Sequence, residues 1–274
     1  MTEQLEPETF FAANVDGGTQ LRRHWAPVGD RRAAVVLVHG IAEHSGRYLH
    51  VGAALAQAGF DVLTFDNRGF GQSDGKRGHI DSFDRFSADV GAAVAEQRRH
   101  DVPVVLIGHS LGGLISTGHL VRGAELPDIA VLSAPAIAAE IPRWQRVVAP
   151  VLARVAPSLF VPSKTDGTLL SRDVTVQQDF VDDPLRVGGA TAAFGMAAFD
   201  EMELASTGIA SISVPLYVLH GAEDELVPTA SSEAYTVLPD ATRRVWDGLR
   251  HECFNEPEGP EVIAEMIAWI DSRL

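Results

Sequence analysis

Ser110 stands between two glycines in the stretch Gly108-His109-Ser110-Leu111-Gly112, with the apolar run VVLI ahead of it and a segment of helical spacing after it. A serine hydroxyl is a weak nucleophile until an adjacent base takes its proton. It must also be lifted clear of the surrounding backbone. A sharp strand-to-helix turn does this, and it needs small residues on both sides, because a Cβ there would collide as strand and helix converge. Gly108 and Gly112 meet that need, so the spacing reads as a nucleophile elbow and the chemistry as acyl transfer to a serine oxygen.

Such a serine requires a base, an acid and donors for an oxyanion. If the chain order is serine, acid, histidine, the base comes late. Of the 10 histidines, His251 occupies the loop between the last predicted strand, ending near Trp246, and the last predicted helix. His24, His50, His79, His100 and His119 read as surface or capping residues, and His39 and His109 as scaffolding. The acid should follow the preceding strand, where Glu223, Asp224 and Glu225 stand in a row and composition does not choose among them. Its charge would hold the imidazole tautomer and stabilise the imidazolium formed during attack. The oxyanion donors are expected to be the backbone N–H groups of Leu111, directly after the nucleophile, and Ile41, in the loop after VVLVHG.

Two rival chemistries fail on spacing. His251-Glu252 would open a zinc site only as H-E-x-x-H, and Asn255 occupies the second histidine position. FDNRGFGQSDG approaches a dinucleotide fingerprint, but Asp74 replaces its third glycine. Neither metal nor cofactor is expected.

The elements that must position these residues alternate. TFFAANVDGGTQLRRHWAP reads as a hairpin turning at Asp16-Gly17-Gly18. After it, AAVVLVHG, FDVLTFD, VPVVLIG, DIAVLSAP, VPLYVLHG and TRRVWDG read as strands separated by helical segments. Ser82 is the expected N-cap of one helix, and Pro257 the first residue of the last. This order predicts an α/β protein with a mostly parallel sheet, helices on both faces and an N-terminal antiparallel hairpin. Residues 136–206 interrupt the rhythm: Pro142, Pro150, Pro157 and Pro162 leave room only for short helical pieces. Within that stretch Arg143, Arg146, Arg154 and Lys164 face no acid between residues 141 and 165, beside Trp144, Leu152, Leu159 and Phe160. A helical cap on residues 136–206 is expected, with a basic, apolar face suited to lipid, inserted between core segments 1–135 and 207–274.

Composition narrows the partners. A formal charge of −15 over 274 residues argues against nucleic acid, whose binding rests on massed basic residues. Cys253 is the single cysteine, which suits a reducing cytoplasm; two residues past His251, it is expected to make activity sensitive to thiol reagents. The opening MTEQLEPETF has no apolar stretch, and no run approaches the ~18 apolar residues of a membrane span. The expectation is a cytoplasmic protein, at most peripheral to membranes or lipid droplets.

Taken together, these motifs resemble the monoacylglycerol lipase (lysophospholipase-like) family of α/β-hydrolase-fold serine hydrolases. HGIAEHSGRY is similar to its oxyanion loop, FDNRGFGQSDGKRG to its Gly-rich loop and GHSLGG to its elbow. SRD at residues 171–173 and DDPL at residues 182–185 look like landmarks of its cap, and HGAEDELVP and HECFNEPE like its acid and histidine motifs. The resemblance implies Asp224 as the acid and His251 as the base, and sets Glu43 and Arg47 near the glycerol end of a small lipid ester. It implies cleavage of monoacylglycerols to fatty acid and glycerol. A short-chain carboxylesterase, a lysophospholipase or a hydrolase-like ligand-binding protein are the alternatives. RVGGATAAFGMAAFDEM departs from the family's cap, with Gly188 and Gly189 expected to add mobility.

Overall fold

The structure, a computed structural model, describes residues 5–138, 143–163 and 165–274, and the side chains of all of these except residues 143–148. The chain opens with the expected hairpin, β1 (Glu8–Ala13) and β2 (Thr19–Trp25), whose turn folds around Asn14: its Oδ1 accepts the N–H groups of Asp16 and Gly18, both at 3.0 Å. Strands and helices then alternate as β3 (Ala33–Val38), α1 (Leu49–Gln57), β4 (Phe60–Phe65), α2 (Asp84–Gln97), β5 (Val104–His109), α3 (Leu111–Arg122) and β6 (Ile129–Ser133). An insert follows: α4 (Arg143–Val155), β7 (Phe160–Pro162), α5 (Val174–Asp182), β8 (Gly189–Thr191) and α6 (Ala192–Gly208). β9 (Leu216–Gly221), β10 (Ala241–Trp246) and α7 (Gly259–Asp271) complete the chain.

The eight-stranded sheet has the order β1-β2-β4-β3-β5-β6-β9-β10, parallel from β4 onward and antiparallel at the hairpin. β3 explains why the central strands read as unbroken apolar runs. Its Ala34, Val36 and Val38 pack with Val90 of α2 and Leu114 of α3, while Ala33, Val35 and Leu37 pack with Leu55 of α1 and Met266 of α7. With period two and both faces covered, every position is apolar. From β3 the chain moves to β4 on one side and returns to β5 on the other. The crevice at this reversal lies between the loop after β3 and the turn after β5, where open α/β sheets take ligands.

Four local expectations change. α4 continues through Pro150, which lies at an exposed position where water can replace the lost helical hydrogen bond. α7 begins at Gly259 with Pro260 in its first turn, because Glu256, ahead of Pro257, is extended. Ser82 does accept the Asp84 N–H, at 3.2 Å, but from two residues ahead of the regular helix, where Phe83 takes the cap position. Gly189 is no hinge: in β8 a Cβ would strike Val161 O across the β7–β8 ladder. Pro142 and Lys164, and the side chains of Arg143, Trp144 and Arg146, lie outside the described residues.

A Cβ on Gly112 would collide with the carbonyl oxygens of Val38 and His39, whereas Gly188 has open space around it. Gly112→Ala is expected to lower stability by about 2 kcal/mol or more, the scale of overpacking in a core. Gly188→Ala is expected to leave it within ~0.5 kcal/mol. Urea unfolding of both variants measures the contrast.

Candidate active site

Ser110 occupies the turn between β5 and α3 with φ 53° and ψ −113°, a conformation that side-chain-bearing residues rarely adopt. The backbone is pinned on each side: its N–H donates to Ser133 O at 2.9 Å, and its carbonyl accepts from Leu114 and Ala136 N–H groups at 3.0 and 3.1 Å. Gly108 and Gly112 permit the approach, since a Cβ on Gly108 would meet Gly112 O.

The loop after β10 carries His251 to this turn, its Nε2 2.8 Å from Ser110 Oγ. His251 Nδ1 lies 2.7 Å from Asp224 Oδ2. Of the three adjacent acids, Asp224 is the buried one, while Glu223 and Glu225 are exposed. Burial alone would raise the Asp224 pKa, but hydrogen bonds from His220 and His251 hold it well below the usual carboxylate range. Burial likewise disfavours the His251 imidazolium, yet Asp224, with Glu252 and Glu43 further off, raises its pKa above the ordinary histidine value. The arrangement can move a proton from a serine oxygen to an imidazole and stabilise the cation formed.

The N–H groups of Ile41 and Leu111 find no protein acceptor among the described residues, and both residues line the cavity at Ser110. His39 braces the loop that presents Ile41. Its Nε2 accepts the Asn67 N–H at 2.8 Å, so the proton sits on Nδ1 and points to Gly40 O at 2.7 Å. Burial lowers the His39 pKa to about 4, which keeps this tautomer neutral. His109 is also a scaffold residue, its Nδ1 3.1 Å from Ser133 Oγ.

Glu43 and Arg47 form an ion pair four residues apart in the chain, with Arg47 Nε 3.2 Å from Glu43 Oε2 but not aligned for a hydrogen bond. Arg47 donates instead to Glu252 Oε2, at 2.6 Å. Glu43 Oε1 accepts from Tyr48 OH at 2.7 Å and from the Gly40 N–H. Glu43 and Glu252 line the cavity; Arg47 stands outside its wall, over the Phe180 ring. Burial, with the nearby Glu252 charge, pushes the Glu43 pKa up to about 7.

Sequence reading passed over two residues here. His220 shares the Asp224 oxygen with His251. Glu256, buried, accepts from the N–H groups of Arg250 and Arg172 at 2.7 and 2.9 Å and pairs with Arg172 Nε at 3.2 Å. It thereby ties SRD to the histidine loop, as Leu170 O does by accepting the Glu252 N–H at 2.8 Å. DDPL is tied to the oxyanion loop, with Asp183 Oδ2 3.0 Å from His44 Nε2. Both signals lay in quoted motifs, but only folding brings the partners together. Asn255 braces the same loop, donating to Glu252 Oε2 at 2.8 Å, rather than capping the last helix. Against the expected thiol sensitivity, Cys253 is fully buried on the α7 side of the sheet, and burial pushes its thiol pKa far above the ordinary range, which disfavours the reactive thiolate.

Above Ser110 lies a cavity of about 540 Å³, lined by Leu114 from the core and by Leu170, Phe180, Phe194, Phe199 and Met202 from the insert. Among the described residues no group of three or more His, Cys, Asp or Glu could hold a metal ion.

Residues 29–258 match the family described as serine aminopeptidase, S33. A monoacylglycerol lipase from Mycolicibacterium smegmatis is 35% identical over 282 aligned residues, covering 100% of both chains. Monoglyceride lipase from Homo sapiens is 31% identical, covering 95% of this chain and 89% of that one. The crystal structure of Paleococcus ferrophilus monoacylglycerol lipase superposes with a TM-score of 0.85 at 31% identity, covering 97% of this chain and 100% of the other. The fold is that of an α/β-hydrolase, and the protein is a carboxylic ester hydrolase. Within that fold the chain belongs to the serine aminopeptidase S33 family, in its monoacylglycerol lipase (lysophospholipase-like) branch.

Hydrolysis by this arrangement needs neutral His251, so kcat/KM is expected to fall as pH drops through a midpoint above about 6.5, the ordinary histidine value. A pH–rate profile on a neutral ester locates it. Iodoacetamide at pH 8 is expected to leave native activity unchanged, with mass spectrometry reporting an unmodified Cys253.

Proposed function

We propose that the protein cleaves monoacylglycerols to fatty acid and glycerol through an acyl-enzyme on Ser110. His251 takes the Ser110 proton as Oγ attacks the acyl carbon, and Asp224 holds the imidazolium. The Leu111 and Ile41 amides receive the oxyanion; one such donor is worth about 2.7–4 kcal/mol in related chemistry. His251 then protonates the departing glycerol oxygen. Water follows the same path: it gives a proton to His251 and attacks the acyl carbon, and His251 returns that proton to Ser110 Oγ as the acyl–oxygen bond breaks and the fatty acid is released. The observation that carries this reading is the unbroken hydrogen-bond chain from Asp224 through His251 to Ser110, opening into an apolar cavity. A cavity of this size and lining suits an acyl chain.

Glu43 is assigned to the glycerol hydroxyls directly, and Arg47 acts through the two carboxylates it pairs. Residues 136–206 are assigned as the cap. Exposed Val151, Val155, Leu159, Phe160 and Val161 support its transient contact with a lipid surface. We assign the protein to the cytoplasm, peripheral to membranes or lipid droplets; no helix among the described residues is long and apolar enough to cross a membrane.

Glycerol release from a long-chain monoacylglycerol and p-nitrophenol release from a butyrate ester, each with wild type and Ser110→Ala, test the proposal. Wild type is expected to prefer the acylglycerol, and the variant to lose at least ~10⁴-fold in kcat on both. Turnover of the short ester alone would make the protein a general esterase. Absence of turnover on either would favour a ligand-binding role.

A further inference from the structure

His220, at the end of β9, is fully buried and does not line the cavity, yet it reaches the carboxylate that orients His251. A carboxylate offers about four lone-pair sites. In Asp224 all are used: Oδ1 accepts the Leu226 and Val227 N–H groups at 2.8 and 2.9 Å, and Oδ2 faces His251 Nδ1 at 2.7 Å and His220 Nε2 at 3.0 Å. His220 Nε2 also lies 3.2 Å from Val227 O. Both neighbours are acceptors, so the His220 proton sits on Nε2 and is donated. Its Nδ1 has no hydrogen-bond partner among the described residues.

We propose that His220 is a positioning residue for ester hydrolysis, holding Asp224 by Oδ2 and sharing that oxygen between two imidazoles. Two consequences follow from the shared oxygen. The carboxylate cannot swing away from His251, because every lone pair is held. It also binds the His251 imidazolium less tightly than a singly bonded oxygen would, since part of its charge is spent on His220. The remaining titratable and charged groups around this pair are Glu43 on the oxyanion loop, Arg47 pairing Glu43 and Glu252, His109 on β5 with its ring centroid 4.8 Å from that of His251, and Glu252 and Cys253 beside His251. Substitution at residue 220 leaves all of them in place.

The inference rests on the ester-hydrolase reading, so the test uses probes indifferent to glycerol: p-nitrophenyl acetate turnover and fluorophosphonate labelling of Ser110, both followed against pH. His220→Leu removes the donor, and His220→Met does so with a longer side chain should Leu not fold. Either variant, with folding checked by thermal melting, is expected to raise the acid-limb midpoint by about one unit. kcat/KM at pH 6 then drops about tenfold further than at pH 8. His220→Gln, whose amide N–H can reach Oδ2, is expected to restore the wild-type midpoint. A folded Leu or Met variant with an unmoved midpoint overturns the proposal, as does failure of Gln to restore it. Wild type that neither labels nor turns over overturns the ester-hydrolase reading itself, and this inference with it.

Discussion

Ser110 is held in a backbone conformation with φ 53° and ψ −113°, and the rest of the molecule is arranged so that it cannot relax. Strain of this kind costs roughly 1–3 kcal/mol and persists only where the surroundings over-determine it. Here β5 is fixed between β3 and β6, α3 leaves at once, and neighbouring strands and loops claim both the N–H and the carbonyl of the serine. The two glycines follow from that geometry, as does the central place of β5 in the sheet. The hydroxyl emerges at the carboxyl edge because the turn leaves it nowhere else to point.

Around the turn, the second physical theme is charge taken out of water in a strongly acidic protein. Asp224 is surrounded by four donors, and Glu256 is met by Arg172 and two amides. Glu43 and Glu252 bracket a single guanidinium. An unpaired buried charge would cost several kcal/mol, so each carboxylate is tolerated only with its partners in place. The effect on geometry is that loops usually free to move are locked. The histidine loop is joined to SRD, and the oxyanion loop to DDPL, by hydrogen bonds and ion pairs, beside a small apolar cluster of Ala42, Leu170 and Phe180.

The insert thus has two characters. Its middle, around Leu170 and α5, is fastened to the loops that carry the chemistry. Its α4 and β7 side leaves large apolar residues in water above an apolar cavity. The first secures the geometry of the reacting groups, and the second is the surface to which the proposed lipid contact is assigned.

Much of this was legible in the chain. Apolar runs with both faces covered marked β3, β5 and β9, and turn glycines marked the elbow, because these follow from local sterics and period-two burial. The oxyanion loop, the elbow, the acid run and His251 could be placed at successive strand ends, since chain order and strand direction fix which edge they share. The choice among Glu223, Asp224 and Glu225 required a family resemblance; in the fold it turns on burial, which three adjacent acids do not display in their order. The partners of His220 and Glu256 and the burial of Cys253 were decided by tertiary structure alone. Each depends on which groups from distant segments converge on one buried atom, and on which face of the sheet a loop residue falls. Sequence by itself determined the reacting types and their order along the chain; only the folded structure decided their hydrogen-bond partners, because burial and long-range contact are properties of the packed molecule.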